Sequence, residues 1–314
     1  MAIRLEDWVG PIQREYLSTF IPAGGGAVRF VVADDETLLV AQERLTAMAR
    51  ANGLANISID TAMMRLHMLH LLFFAVAGSL DWEGLIQTRL EILAGKAGYR
   101  WEEPGTRMTL PRLAEANDIA LPVVRRTLQQ EVTRTVWQDA RLAQDFRKAM
   151  MALLDARLAD DPDSPGDAVL GWLQGKLRSL REVRDAQIGA RIGRHNARAM
   201  LMSLCHWLRT CGHPGLVVFL DIRRLLRERK EISEGVAYTP AAVMDCYEVL
   251  RQMIDDSELF EGLFLMVLAN ARLLNDDVPR RALSQYTALK MRVVDDVRPR
   301  GQDNPLSPLV VIAP

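Results

Sequence analysis

The stretch VRFVVADDETLLVAQERLT, residues 28–46, decides the fold of this chain. Its first five residues, Val28–Val32, are mostly β-branched or aromatic and are typical of a buried strand. A short acidic turn follows at residues 33–36. The apolar spacing after this turn then predicts an amphipathic helix from Thr37 to Asn52, where an Asn-Gly pair ends it.

Strand, short loop and helix in this order form the frame of a P-loop nucleotide site, but the residues that bind phosphate are missing. A P-loop, G-x-x-x-x-G-K-[ST], uses glycines so that backbone N–H groups wrap the phosphates, a lysine for their charge and a hydroxyl for magnesium. The connection here has no glycine or lysine and holds three carboxylates, which oppose the attraction of the helix dipole for anions. We interpret Ala33, Asp34, Asp35 and Thr37 as vestigial positions of a site that has lost its nucleotide.

Composition indicates an ordinary globular protein that is rich in helix. The chain has 314 residues, of which 49% are hydrophobic and 25% charged, and its net charge of −1 gives no overall attraction to nucleic acid or anionic membrane. Three cysteines suit a reducing compartment, and the N-terminus has no signal-peptide pattern. The longest apolar run, Leu69–Gly78, is shorter than the ~20 residues that a membrane span needs. We therefore expect a cytoplasmic protein.

Strands that alternate with helices predict an α/β fold, a P-loop NTPase-like (RecA/AAA-like) parallel sheet flanked by helices, with a large helical insertion. Residues 1–60 form an N-terminal helix and the first β-α-β unit, residues 61–160 the helical insertion, and residues 161–314 the remainder of the core. The segment at 160–166 is rich in Pro, Gly and Asp and is the predicted hinge. Further strands are predicted at 57–60, 215–221, 262–270 and 309–312, and further helices at 11–19, 63–77, 166–185, 193–211 and 240–255.

Several short segments, taken in order, carry a family resemblance. They are Glu15–Leu17, the turn Ile21–Gly26 before Val28–Val32, Asn196–Ala199, Gly215–Asp221, Gly262–Asn270, Arg280–Leu289 and Asn304–Pro308. Their order and spacing resemble the ATP-binding protein of bacteriophage-exclusion (BREX) defence systems, a P-loop ATPase family. The resemblance covers most of the chain and implies a nucleotide-binding core in an antiviral assembly of several proteins.

The chain departs from that family at both nucleotide motifs. Ala33 stands where the first glycine belongs, the lysine is missing, and about three residues are absent relative to the P-loop template. The family's second motif is a hydrophobic strand ending in Asp-Glu, which serve magnesium and the attacking water, but here Asp221 is followed by Ile222 and Arg223. Asn270 ends a strand at the γ-phosphate-sensing position, and we interpret it as structural. Phosphoryl transfer depends on positioning and electrostatic stabilisation, so these losses predict a pseudo-ATPase with no cofactor.

Three other groups raise the question of a metal, and none of them predicts one. His67 and His70 can share a helix face, but no third ligand accompanies them. Cys205–His206 and Cys211–His213 fit no standard zinc spacing. The acidic run Asp34–Glu36 lacks further ligands for a cation and suits a helix start, where the dipole favours negative charge.

Two basic stretches, Arg178–Arg198 and Arg223–Lys230, can contact a nucleic-acid backbone, because Arg and Lys neutralise phosphates without a sequence code. The alternative interpretation is a solvated helix face, which the near-neutral net charge and the lack of interleaved aromatic residues favour. An arginine can also reach the nucleotide of a partner subunit in trans. The individual candidates for contact to DNA, or for action in trans, are Arg191, Arg194, Arg198, Arg223 and Arg224.

These observations give one leading functional hypothesis and two alternatives. The first is a catalytically inactive P-loop ATPase-like subunit, a structural or interaction component of a bacterial anti-phage defence or DNA-processing complex. Its partners would be other protein subunits, among them an active ATPase homologue, docked through helix 63–77 or hinge 160–166. The alternatives are a nucleotide-dependent ATPase or switch with non-standard phosphate contacts from arginines near 191–198, and a DNA-binding module that uses the basic helices.

Overall fold

Apolar runs in the sequence form the centre of a six-stranded parallel sheet. The computed structural model describes residues 2–101, 106–159, 165–276, 280–294 and 304–314. The strand order is β1-β6-β2-β5-β4-β3, and every pairing is parallel. The predicted α/β fold with a parallel sheet is confirmed. The strands are β1 (Ile3–Arg4), β2 (Ala27–Val32), β3 (Ala55–Asp60), β4 (Leu216–Asp221), β5 (Leu263–Ala269) and β6 (Leu309–Ala313).

Burial explains the position of each strand in the sheet. All seven residues of β5 and five of the six in β4 are buried, as expected where helices cover both faces of a parallel sheet. β3 alternates between buried and exposed residues towards its end and lies at one edge. The glycine-rich turn before β2 also has a packing reason, because a Cβ on Gly26 would collide with the carbonyl oxygens of Ser257 and Phe260.

The chain divides into two compact units. Met1–Ala75 and His213–Pro314 form one, here called the sheet unit, and Val76–Gly212 form the other, the helical unit. Most of the predicted hinge, residues 160–164, lies outside the described residues. The helices are α1 (Leu5–Ile12), α2 (Asp35–Ala51), α3 (Leu69–Gly78), α4 (Trp82–Lys96), α5 (Leu110–Ala116), α6 (Leu121–Val132), α7 (Gln144–Ala159), α8 (Gly166–Leu173), α9 (Ala197–Thr210), α10 (Pro240–Asp255) and α11 (Thr287–Val293).

Three predicted helices differ from the observed ones. The helix predicted at 166–185 ends at Leu173, because Gly175 has a positive φ of 70° and only one 3-10 turn, Leu180–Val183, follows it. The helix predicted from residue 63 begins at Leu69, after a series of turns. The first helix begins at Leu5 and continues as a π-helix over Gln13–Phe20.

No single helix in the described ranges is both long enough and apolar enough to cross a membrane. The consecutive helices α3 and α4 meet the criteria of length and composition only when they are taken together.

Candidate functional site

Four strands of the sheet unit end at one edge and bring polar residues together there. In the register of the sheet, Val32 is opposite Ala269, and Asp60 is opposite Asp221. The carboxyl edge of a parallel sheet is where α/β folds bind ligands. A cavity of about 450 Å³ lies at this edge and is lined by Asp35, Asp60, Ala62, Asp221, Arg223, Arg224, Arg227, Asn270 and Arg272.

The connection between β2 and α2 contains only two residues. β2 ends at Val32 and α2 begins at Asp35, so that Ala33 and Asp34 alone join them. Ala33 is buried, and its N–H donates to the carbonyl oxygen of Ala269 at 3.2 Å, which extends the pairing of β2 with β5.

Asp34 is the N-cap residue of α2, and its carboxylate caps the helix. Its Oδ1 accepts the backbone N–H of Thr37 and its Oδ2 accepts the hydroxyl of the same residue, both at 2.8 Å. Thr37 is buried, with 3% of its surface exposed. The hydrogen bonds from Thr37 hold the pKa of Asp34 below its usual range. An internal carboxylate therefore accepts the backbone N–H and the hydroxyl at the start of α2.

Arg223 pairs with two of the three carboxylates that line the cavity. Its Nε donates to both oxygens of Asp221 at 3.0 Å and its Nη2 donates to Asp221 Oδ2 at 2.6 Å, while its Nη1 reaches Asp35 Oδ1 at 2.6 Å. These hydrogen bonds, chiefly those to Asp221, raise the pKa of the Arg223 guanidinium. The guanidinium group thus joins the end of β4 to the start of α2.

Asn270 and Arg272 are also engaged in local contacts. The side-chain oxygen of Asn270 accepts the N–H of Arg272 at 3.1 Å and starts a 3-10 turn, Ala271–Leu273. The guanidinium of Arg272 donates to both oxygens of Glu231, at 2.7 and 2.9 Å. This pairing lowers the pKa of Glu231 to about 2. Asn270 acts here as a helix cap.

Arg224 and Arg227 are the remaining cations of the lining. Arg224 Nε donates to the carbonyl oxygen of Val236 at 2.8 Å, and its buried Nη2 has no hydrogen-bond partner among the described residues. Arg227 is exposed and forms no ion pair within that same set. On the acidic side, Asp60 accepts the N–H of Ala62 at 2.7 Å. The cavity is therefore polar and of mixed charge.

The histidines and cysteines lie in other environments. His206 Nε2 is 2.7 Å from Asp139 Oδ2 in the helical unit, and His213 Nδ1 is 3.1 Å from the carbonyl oxygen of Gly53 in the sheet unit. The three cysteines are buried thiols that form no disulfide within the described residues. Within the described ranges, no group of three or more His, Cys, Asp or Glu residues is arranged to hold a metal ion.

The candidate arginines of the other basic stretch belong to the helical unit. Arg191 and Arg194 are exposed, and Arg198 is half-buried in the first turn of α9. The structure thus brings Asp35, Asp221, Arg223, Arg224 and Asn270 to one cavity in the sheet unit. Sequence reasoning missed the pairing of Arg223 with Asp35, because 188 positions separate them. It also missed Asp60, the last residue of β3, and Arg272, just after β5, for which the end of each strand was the available signal. Arg227 lies in the basic stretch Arg223–Lys230, which the sequence had singled out.

Comparison with protein families identifies one match. Residues 112–314, more than half of the chain, match the family described as BREX system ATP-binding protein BrxC/D. The matched range contains Asp221, Arg223 and Asn270, whereas the connection between β2 and α2 precedes it. No curated protein and no solved structure matches the chain.

Proposed function

Because this chain belongs to the family of the BREX system ATP-binding protein BrxC/D, we propose that it serves bacteriophage exclusion as a non-catalytic subunit whose own side chains fill the nucleotide position. The observation that carries this proposal is the two-residue connection between β2 and α2, with the Asp34 carboxylate on the N–H and hydroxyl of Thr37. A phosphate group at this helix start would displace that carboxylate and then meet its negative charge.

The ion pairs of Arg223 support the same proposal, because they occupy the carboxylate that would assist magnesium. Asp221 is the residue that would assist magnesium, and its carboxylate is held by the Arg223 guanidinium at 2.6–3.0 Å. The residue after Asp221 is Ile222, which cannot polarise an attacking water. Phosphoryl transfer needs a phosphate cradle, a metal and a positioned water, and the described residues of this edge offer none of the three in the P-loop arrangement.

The retained sheet and the family membership together support an interaction role. A BREX system has several components, so a subunit that keeps the fold without the chemistry acts through its surfaces and through partner proteins, among them an active ATPase homologue. Purification of the native assembly from its host, followed by mass measurement of the intact complex, tests this part. Recovery of the chain only as a species without protein partners would contradict it.

Calorimetry tests the loss of nucleotide binding. We expect no saturable heat when ATP with excess Mg²⁺ is titrated to millimolar concentration into the protein, and phosphate release equal to the blank. Micromolar binding that disappears in the Asp221→Ala variant would overturn the proposal. The Glu43→Ala variant, at an exposed position of α2, provides a control for non-specific heat.

A second candidate function rests on Arg224 and Arg227. Both line the cavity and neither pairs with a carboxylate within the described ranges, so they can hold a phosphate without a P-loop or a metal. This nucleotide switch predicts ATP binding that persists in EDTA and is lost when both arginines become Gln. The Arg229→Gln variant, at an exposed position close in sequence, is the matched control. Equal binding by all three proteins would exclude this alternative.

A further inference from the structure

The segment between α8 and α9 concentrates positive charge in an irregular loop. Residues 176–194, here called the arginine loop, contain six basic residues and two acidic ones in a chain whose net charge is −1. The loop belongs to the helical unit and holds one short 3-10 turn, Leu180–Val183. Its basic residues are Lys176, Arg178, Arg181, Arg184, Arg191 and Arg194.

Buried residues and hydrogen bonds fix the backbone of the arginine loop. Val183, Ile188 and Ile192 are each at most 5% exposed and hold the loop against the helical unit. The indole N–H of Trp172, in α8, donates to the carbonyl oxygen of Ala190 at 2.9 Å. The ammonium group of Lys148, in α7, donates to the carbonyl oxygen of Gln187 at 2.7 Å. The charged side chains therefore project from an anchored backbone.

Several arginines elsewhere in the chain pair with carboxylates, whereas the arginines of this loop do not do so within the described residues. Arg44 pairs with Glu6, Arg157 with Glu83 and Arg272 with Glu231, at 2.7–2.9 Å. By contrast, no basic residue of the arginine loop forms an ion pair with any residue that the structure describes, and all six are exposed. Exposed charges of one sign repel each other, so their concentration favours an anionic partner.

Two local hydrogen bonds help to order the arginine loop. The carboxylate of Glu182 accepts the backbone N–H of Ser179 at 2.6 Å and is used as a capping group. The Arg191 Nη2 donates to the carbonyl oxygen of Arg178 at 2.6 Å, which brings the two ends of the loop side by side. Arg178 and Arg191, which are 13 positions apart in sequence, are thereby neighbours on the surface.

We propose that the arginine loop binds the sugar-phosphate backbone of duplex DNA. Guanidinium groups donate in pairs to phosphate oxygens, and contacts of this kind need no base sequence. The loop contains no aromatic residue, and single-strand binding relies on aromatic stacking, so duplex DNA is favoured over a single strand. None of the large apolar side chains exposed on the described surface lies in this loop, which gives a protein partner no apolar anchor there.

This proposal is independent of whether the cavity at the sheet edge binds nucleotide. The test is fluorescence anisotropy of a labelled 30-bp duplex with the full chain, titrated at several KCl concentrations from 50 mM upwards. We expect micromolar binding at 50 mM that weakens steeply with salt and is the same for two unrelated sequences. The variant Arg181→Gln/Arg184→Gln/Arg191→Gln should bind at least tenfold more weakly. Its slope of log K against log salt should shrink by about 0.9 for each lost phosphate contact.

A matched triple variant separates a local effect from a change in net charge. Arg112, Arg125 and Arg126 are exposed residues of α5 and α6 with no ion pair within the described part of the chain, and changing all three to Gln alters the net charge equally. This control should bind DNA within twofold of the native protein. No binding of the native protein at 50 mM KCl, or equal weakening in both variants, would overturn the proposal. The proposal would also be overturned if the protein bound poly-glutamate more tightly than DNA at equal concentration of charge.

Discussion

Asp34 has two carboxylate oxygens, and Thr37 uses both of them. One accepts the backbone N–H that starts α2 and the other accepts the Thr37 hydroxyl, each at 2.8 Å. A capping carboxylate satisfies a donor that a helix start otherwise leaves open and interacts favourably with the dipole. The backbone N–H and the hydroxyl of Thr37 are thus both hydrogen-bonded to a carboxylate of the chain itself.

The cap predicts a loss of stability in Asp34→Ala. This variant loses both acceptors, so its urea midpoint should fall, whereas Asp34→Asn keeps one acceptor and should lie between the two proteins. The hydrogen bonds lower the folded-state pKa of Asp34, so the difference between native protein and Asp34→Ala should shrink as the pH falls below the ordinary range of Asp. Glu43→Ala, in the middle of α2, should change the midpoint little. A midpoint of Asp34→Ala equal to that of the native protein would contradict the capping role.

Arg223 takes the role of a cation between two carboxylates, and its removal should convert the cavity into a metal-responsive site. Arg223→Gln leaves Asp35 and Asp221 without their guanidinium partner in a cavity that Asp60 also lines. We expect a loss of about 1–2 kcal/mol in the free energy of unfolding, since charged hydrogen bonds are lost at a side chain that is partly exposed. Mg²⁺ at 10 mM should restore part of this stability, because carboxylate oxygens are its preferred ligands.

Urea unfolding with and without Mg²⁺, at constant ionic strength, measures this effect. The native protein should show no response to Mg²⁺ because Arg223 already balances the carboxylates. Arg44→Gln, which breaks the exposed pair with Glu6, should behave as the native protein does. An Arg223→Gln variant whose stability is unaffected by Mg²⁺ would argue against a cation-like role for Arg223.

At the scale of elements, α10 is joined to α11 through a charged cluster. The guanidinium of Arg251 donates to Glu248 Oε1 at 2.5 Å, and the hydroxyl of Tyr286, just before α11, donates to the other oxygen of Glu248. Arg292, within α11, pairs with Asp255 at the end of α10. The hydrogen bond from Arg251 is the main reason that the pKa of Glu248 falls to about 2 from an ordinary value of 4.5.

This cluster predicts acid sensitivity of the packing between α10 and α11. Between pH 4.5 and pH 2 the unfolded state binds a proton at Glu248 that the folded state does not, so stability should fall as the pH is lowered through this range. Glu248→Gln should be less stable than the native protein at pH 7 and should lose less on acidification. The measurement is the urea midpoint from pH 7 to pH 3. Parallel curves for the two proteins would show that Glu248 does not contribute to the pH dependence.

The elements differ in how far the sequence predicts them. β2, β4 and β5 were predicted within one residue at each end, because a buried parallel strand is a continuous apolar run. β1 was missed, since two residues carry no periodicity. In the arginine loop a helix was predicted, but the chain there is irregular. The left-handed conformation of Gly175 ends α8, and the helix propensity of the neighbouring residues gives no sign of it.

In the candidate site, too, the sequence predicts local features but not contacts between distant residues. A short acidic connection between β2 and α2 was visible in the sequence, as local features are, although it was predicted to span residues 33–36 and contains only Ala33 and Asp34. The pairing of Arg223 with Asp35 was not, because it depends on strand order: β5 lies between β2 and β4 and sets the distance from α2 to the end of β4. The acidic residues that are adjacent in the sequence between β2 and α2 therefore predicted a negatively charged sheet edge. In the structure, four arginines line the cavity at this edge together with three aspartates.

At the scale of the whole molecule, the three buried cysteines can be used to measure the unfolding of both units. Cys246 lies in α10 of the sheet unit, while Cys205 and Cys211 belong to the helical unit, and each is at most 2% exposed. Burial raises the pKa of Cys211 and of Cys246 to about 12 from an ordinary 9.0. A rise of this size lowers the reactive thiolate fraction at pH 8 by roughly three orders of magnitude, in addition to the steric block.

We therefore predict that a thiol reagent such as DTNB labels none of the three cysteines in the native protein at pH 8 within minutes, and labels all three in 6 M guanidinium chloride. At intermediate urea concentrations, mass spectrometry of the labelled peptides should follow the unfolding of each unit separately. The reason is that a buried thiol reacts with the reagent only after local or global unfolding. Labelling of Cys246 should rise earlier in urea in the Arg223→Gln variant than in the native protein. Rapid labelling of Cys246 in the native protein would contradict the packed position of α10 on the sheet.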